Sequence, residues 1–408
     1  MRALAAAALL FSIWNPPLTV KHMQSPEKTH IRPADLPRPN ATNSAQNSPR
    51  VIWQPEDAVL HVPRGFDVTM FAGDLRGPRQ IVEASNGDIL VAESWKGRVM
   101  LLRDVDHDGL IGAGERHVLL ENLERPAGLA LSRDHLFVGE TGRIARYAYR
   151  VGQTRISSTN EKIGDLPPRG YREHWTRYVT LSPDQKKLYV TVGSQTNDDI
   201  EPDRRRGTII EIDVASNVSH IYANGLRNAT GLAFHPKTKQ LWATCNERDG
   251  LGDDLVPDFV TSVKEDGFYG WPYAYIGPNP DPVNGSKRPD LMAATLTPDV
   301  LIQAHSAALG IAFYDGKMFP DEYRGDAFVA LHGSWNRAKR TGYKVIRVRF
   351  RDGKATGAYE DFLTGFMLGE DQRDVWGRPV SVVVLRDGSM LIGDDGGGKI
   401  WRVTAAAK

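Results

Sequence analysis

The chain contains one cysteine, Cys245, in 408 residues. That excludes an intrachain disulfide and any cysteine-built zinc or iron–sulfur centre. It lacks an excess of either charge, with 51 Lys and Arg against 50 Asp and Glu. Such a balance offers no field for nucleic acid or an anionic membrane surface. The apolar run from Ala3 to Trp14 falls short of the roughly 20 residues that span a bilayer, so no stable membrane insertion is expected. Long 3.6-period segments with caps are missing too, which predicts few helices. Without amphipathic helices alternating with strands, a two-domain α/β enzyme is excluded. The GDDGGG near the C-terminus lacks the strand-to-helix setting of a dinucleotide loop.

What is present is turn-forming composition and a repeat. Glycine at 39 and proline at 25 favour many turns between short strands. Arg2 followed by the apolar run reads as a secretory signal over residues 1–22, although no small-x-small cleavage site follows. This predicts a periplasmic or secreted protein. Residues 15–50 are rich in Pro, Asn, Ser and Gln without apolar periodicity, so 23–50 is expected to be a disordered linker.

From residue 51 to 408 one unit recurs: a short apolar strand, a polar turn, a second apolar strand. It appears as QIVEASNGDILVAES from Gln80, GLALSRDHLFVGET from Gly128, YVTLSPDQKKLYVTVG from Tyr178 and GLAFHPKTKQLWATCN from Gly231. A looser copy starts at Gly310, and the sixth is VSVVVLRDGSMLIGDDG from Val380. A spacing of about 50 residues between the first four is that of propeller blades. Further strands follow several copies, as at Arg98–Arg103 and Thr208–Asp213. The expectation is an all-β fold, a six-bladed β-propeller of four-stranded antiparallel blades.

Each copy enters its first strand behind a basic or imidazole side chain: Arg79, Arg125, His174 with Arg177, Arg227, His305 and Arg378. The first strand of a blade lines the central channel, so these junctions should meet at one mouth. An antiparallel hairpin returns its second strand to the same edge. Glu93, Glu140, Ser194 with Gln195, Asn246 with Glu247, His332, and Asp394 with Asp395 should therefore join them. Clustered cations repel one another unless an anion settles among them, and Arg suits bidentate carboxylate binding. The expected ligand is small, planar and multiply anionic. A histidine with near-neutral pKa suits base catalysis, and His174, His305 and His332 all qualify by position.

Several of these segments carry a resemblance. EHWTRYVTLSPDQKKLYVTVGSQ, LRNATGLAFHP, NERDGLGDD, FYGWP and HGSWNR together resemble the soluble quinoprotein sugar dehydrogenases, the family of soluble glucose, aldose sugar, L-sorbosone and fungal pyranose dehydrogenases. The resemblance runs from about Val59 to the C-terminus. It implies oxidation of an aldose, pyranose or sugar aldehyde by hydride transfer to pyrroloquinoline quinone beside Ca²⁺, with an external electron acceptor. It implies that His174 is the general base and that Arg227, Asn228, Gln195, Arg378 and, in GSWNR, Arg337 contact the cofactor. Arg125 and Arg177, at their blade junctions, complete that set. The backbone carbonyls of Glu247 and Arg248 match the calcium turn. Soluble glucose dehydrogenase has Asp and Gly-Pro where this chain has Glu173 and Glu247-Arg248.

A second metal candidate is DVDHDGLIGAGE, which places Asp104, Asp106, Asp108 and Glu115 in a calcium-loop pattern, though the flanks do not suit an EF-hand. Cys245 reads as a small buried filler. Two other classes stay open on the sequence: a calcium-dependent propeller hydrolase of the lactonase kind, and a non-catalytic binding propeller.

Overall fold

A computed structural model of the chain describes residues 18–167 and 174–406. Six four-stranded antiparallel units stand in a ring, a six-bladed β-propeller. Blade 1 holds Pro78–Glu83, Ile89–Glu93, Arg98–Leu102 and Arg116–Leu120; blade 2 starts with Gly128–Leu131 and His135–Glu140. Blade 3 starts with Val179–Leu181 and Lys187–Val192, and blade 4 with Asn228–Phe234 and Leu241–Asn246. Blade 5 starts with Ala308–Phe313 and Ala327–Leu331, and blade 6 with Pro379–Val384 and Met390–Asp394. Every first strand is the first half of a repeat copy. Each first strand touches that of the next blade, and blade 6 returns to blade 1. The described residues hold one α-helix, Pro289–Ala293.

Blades pack face to face, which explains why second strands do not alternate apolar with polar. Ile89–Glu93 and Ala327–Leu331 are buried at every position, because each sheet lies between two others. Phe137 and Ile144 of blade 2, for example, share a core with Val190 and Ile210 of blade 3. Each such side chain contributes about 1.5–3 kcal/mol by leaving water. At the channel the inner strands come closer still. A Cβ on Gly231 would lie 2.2 Å from the Leu309 carbonyl oxygen of blade 5, so only glycine fits there.

The ring closes with a strand from the other end of the chain. Phe66–Ala72 pairs antiparallel with Lys399–Ala405 as the outermost strand of blade 6, which leaves no open edge between first and last blades.

Residues 23–50 depart from the expected disordered linker. Lys28–Thr29 extends blade 5 beside Lys354–Leu363, and Arg50–Val51 runs parallel to Asp374–Val375. Between them Asn40 N donates to Leu251 O, and Asn47 N donates to Trp335 O. The Ser44 and Thr42 hydroxyls accept from Gly252 N and Asp253 N. This strap is held by backbone and small polar groups on blade loops and by single apolar anchors, Ile31 and Leu36, that pack on a blade core; neither needs the apolar periodicity its composition lacks. Residues 1–17 of the expected signal segment lie outside the described residues. The remainder begins Thr19–Met23, a strand parallel to Val59–Pro63.

The blade register sets the site. Pro379 faces Asp394, Asn228 faces Asn246, and Pro78 faces Glu93. The start of each first strand therefore lies opposite the end of the second.

Candidate functional site

A cavity of about 300 Å³ opens where these blade ends converge, at the low end of ligand pockets, about 300–1,000 Å³. Arg79, His174, Arg227, His305 and Arg378 line it, as do His332 and Glu247. Five of the six expected junctions thus meet at one mouth.

The three histidines differ in their bonding. His305 sits at φ +67°, with Nδ1 3.1 Å from an Asp249 oxygen and Nε2 2.9 Å from Gly252 O. Both partners are acceptors, and although burial opposes it, the Asp249 bond draws the pKa of His305 up. His332 directs Nε2 at Asp395, 2.7 Å away. Burial and Arg378 hold its pKa down at about 4, so it is a neutral donor. Asp395 also takes Arg79 Nη1 at 2.7 Å, and the His332 bond with the nearby Arg79 and Arg378 charges holds its carboxyl far below the usual range despite burial.

His174 is different again. Its Nδ1 lies 3.1 Å from both the carbonyl and the hydroxyl of Ser194. The carbonyl only accepts, so Nδ1 carries the proton. Burial, then the Arg227 charge, pushes its pKa down to about 3. Among the described residues, no hydrogen bond engages Nε2, which leaves a neutral ring with a free lone pair. The ring fits here because Gly193 lacks a side chain: a Cβ there would stand 2.5 Å from His174 Cβ and 2.4 Å from Asn228 Oδ1.

The cations also differ. Arg227 donates to Asn197 O, to Glu247 O at 2.8 Å and, at 3.4 Å, to Asp249. Arg378 Nε donates to His332 O at 3.2 Å and its guanidinium stands 5.9 Å from the Tyr343 ring. Among the described residues Arg378 has no carboxylate partner.

Beside Arg227 stands a buried acidic set. Glu247 Oε2 accepts from Arg248 N, while Oε1 has no partner. Burial raises its pKa to about 7. Asp258 accepts from Glu247 N and Ala307 N, and burial raises it to about 6. Asn228 Oδ1 is likewise buried without a partner. Buried polar atoms without a protein partner are costly, and their convergence on one cavity suits it to a polar ligand or a cation.

The sequence matches the TrAA12-like family model over residues 60–266 and 285–406. The chain belongs to the TrAA12-like family. It is 30% identical to an uncharacterized protein of Borreliella burgdorferi, covering 85% of this chain and 91% of that one. It is 24% identical to the pyrroloquinoline quinone-dependent pyranose dehydrogenase of Coprinopsis cinerea, covering 84% of this chain. It spans only 54% of that enzyme's length. The calcium structure of the Trichoderma reesei carbohydrate-active enzyme of family AA12 superposes with a TM-score of 0.73 at 21% identity, covering 88% of this chain and 99% of that one. At that identity the likeness concerns the fold.

Several expected site residues of this TrAA12-like protein stand apart from the cavity. Arg177 is fully buried, donating to the carbonyls of His174, Thr176 and Pro167, so it braces the His174 segment from behind. Arg125 packs its guanidinium between Trp95 and Trp175, 5.0 and 4.1 Å from the ring centres. Arg337 is drawn to Asp253 O and, at 2.7 Å, to Asp254; Trp335 lines the cavity in its place. Gln195 is not in the lining, and its backbone amide donates to Glu201. Arg248 turns its side chain to Asp198 and Asp281. Glu93 and Glu140 pair with Arg98 and Arg143 on their own blades. Glu173 lies outside the described residues.

The loop at Asp104 brings the carboxylates of Asp104, Asp106 and Asp108 within 4.8 Å of one another. Glu115 does not complete the set. Its oxygens accept from Val105 N at 2.6 Å and Gly112 N at 2.8 Å. Cys245 is buried.

Asp249, Asp258, Trp175 and Trp335 are the residues that sequence reasoning did not single out. Trp175 stood inside a quoted motif, flanked by polar residues, which is the signal available. Asp258 lies on a third strand, and nothing local announces its bond to Ala307 N across 49 residues.

Proposed function

We propose that this TrAA12-like protein is a quinoprotein dehydrogenase that oxidises an aldose, pyranose or sugar aldehyde. What carries the reading is one arrangement: a neutral His174 with a free Nε2 shares a cavity with Arg378, a cation without a carboxylate partner. The lining fits a planar polyanion and a cation. Arg227, Asn228 and Arg378 would hold the carboxylate and quinone oxygens of pyrroloquinoline quinone. The Glu247 carbonyl already accepts from Arg227, so the unpaired Glu247 Oε1 is the donor left for Ca²⁺, together with the Arg248 carbonyl. When bound, the quinone supplies a two-electron acceptor polarised by the metal.

The chain's own part is proton transfer and placement. His174 is fixed in the tautomer with Nδ1–H on Ser194 O, and Nε2 takes the proton of the sugar hydroxyl. His305 and His332 hold cavity walls through Asp249 and Asp395. Electrons then leave to an external acceptor. The apolar run Ala3–Trp14 supports an exported enzyme, and among the described residues no helix is long and apolar enough to cross a membrane.

The hydrolase reading needs side chains converging on a catalytic metal. Here Arg79, Arg227 and Arg378 share the lining with the acidic and amide groups, which suits an anionic ligand better. The test is dye reduction by the chelated, quinone-free protein, with a panel of aldoses and a lactone. Activity is expected only when quinone and Ca²⁺ are both restored. Undiminished oxidation without quinone, or lactone hydrolysis in its place, overturns the reading.

A further inference from the structure

Beside the central cavity lies a second cleft of about 510 Å³. The two are neighbours at two points. Asp395 lines the cleft while its carboxylate binds Arg79 and His332 of the cavity. Trp95 lines the cleft, and its ring centre lies 5.6 Å from that of Trp175, which lines the cavity.

The cleft carries two solvent-facing tryptophans, Trp95 at 56% exposure and Trp53 at 91%. The Trp95 ring is packed on its neighbours, and the chain on either side of Trp53 is anchored. The Trp95 ring rests on bare backbone, since a Cβ on Gly77 would stand 2.1 Å from it, and Arg125 stacks against it. Trp53 sits between two anchors of the strap. Ile52 N donates to Val375 O at 2.9 Å, and Gln54 Oε1 accepts from Lys399 Nζ at 2.5 Å. Single exposed apolar residues are ordinary, but two large rings exposed in one cleft make an apolar patch of the kind that marks a binding site. Asp74 and Arg76 are exposed at the same rim and offer an acceptor and donors beside the rings.

Aromatic faces with hydrogen-bonding groups at their edges match pyranose units, whose ring faces are C–H and whose rims are hydroxyl. We propose that this cleft is an extended sugar subsite: the reducing-end unit of an oligosaccharide enters the central cavity, and the following units lie on Trp95 and Trp53. The inference rests on the sugar-oxidising reading and narrows its substrate to oligosaccharides. The strap, by carrying Trp53, completes the subsite.

The test is calorimetric titration of the quinone-free protein with a hexose and its β-1,4-linked di- and trisaccharides, with dye reduction by the reconstituted enzyme alongside. The trisaccharide is expected to bind about tenfold more tightly than the hexose, the gain of one or two stacked rings. Trp53→Ala and Trp95→Ala should remove that gain, and Trp53→Phe should keep most of it. A thermal melt of each variant separates lost contact from lost fold. Equal affinity for all lengths, or a gain surviving both alanine variants, overturns the subsite. If the hexose binds and is oxidised while length brings nothing, this inference fails alone. If no sugar of any length binds or is oxidised, the underlying reading fails with it. A redox protein whose binding depends on Trp53, with no gain from sugar length, would make the cleft a protein-docking site and overturn the proposal.

Discussion

His174, His305 and His332 enter one cavity with three bonding states, and each state follows from its neighbours. An acceptor on both nitrogens makes His305 a cation, a carboxylate on Nε2 makes His332 a donor, and a carbonyl on Nδ1 leaves His174 a base. His174→Ala should lower kcat by about 10²–10⁴-fold, the range for losing a general base, while a quinone titration stays near that of wild type. If His332→Ala is crippled and His174→Ala is not, the base is misassigned. The pH dependence has a definite sign. Folded His174 takes a proton only near pH 3, against an ordinary value of 6.5. The unfolded chain protonates it first, so its contribution to stability is whole above about pH 6.5 and is lost as pH falls toward 3. The melting temperature of His174→Gln should therefore rise relative to wild type as pH drops from 7 to 4.5. A constant difference would mean that His174 is not desolvated as described.

Elements carry the second level of control. The strap meets the loops that hold Gly252, Trp335 and Ala338, and the closing strand Phe66–Ala72 completes blade 6. The two should fail differently. Removing residues 1–56 takes away the strap's polar contacts, a few partly buried apolar anchors such as Ile31, Leu36 and Ile52, and the strand Thr19–Met23, but no inner strand of a blade; it should lower the melting temperature while the transition stays cooperative. Removing residues 1–72 takes away the closing strand together with Phe66 and Val68, opens an edge and uncovers the Phe319, Phe328 and Phe362 core they pack on; circular dichroism should then show no cooperative melt. A stable protein after the longer deletion would mean that the ring does not depend on closure. The junction arginines also sort at this level. Arg79, Arg227 and Arg378 point into the cavity, whereas Arg177 is turned into the wall by three carbonyls.

The molecule as a whole is a closed ring with titratable and charged groups gathered at its central cavity. Glu247 at about 7 and Asp258 at about 6 are acids that burial keeps from ionising easily, and Arg378 lines the same cavity. A ligand that binds only the folded ring stabilises it by mass action, about 2.7 kcal/mol at a hundredfold excess over Kd. Quinone with Ca²⁺ should therefore raise the melting temperature more than either alone. Losing one charge-assisted contact costs about 1.5–3 kcal/mol, or roughly 10–150-fold in affinity. Arg378→Ala should thus need that much more quinone for the same shift. An unchanged titration would make Arg378 a spectator.

The sequence alone determined the repeat, and with it the number of blades, because strand–turn–strand units are local and their spacing is written in the chain. It also determined which blade ends meet, because hairpin register follows from the turn. That was enough to bring Arg227, Asn228, Arg378, His174 and Glu247 to one mouth. It did not determine which way a side chain at that mouth would turn. Arg125 is held by two tryptophans and Arg337 by the Asp253 loop, partners that are distant in sequence. Nor did it reveal the closing strand or the strap. Phe66–Ala72 finds its partner more than 300 residues away, and the strap binds through main-chain amides and isolated apolar anchors such as Ile31 and Leu36 that composition and periodicity do not show. Tertiary structure decided these points because charge pairing, stacking and edge pairing depend on what the fold sets alongside each group.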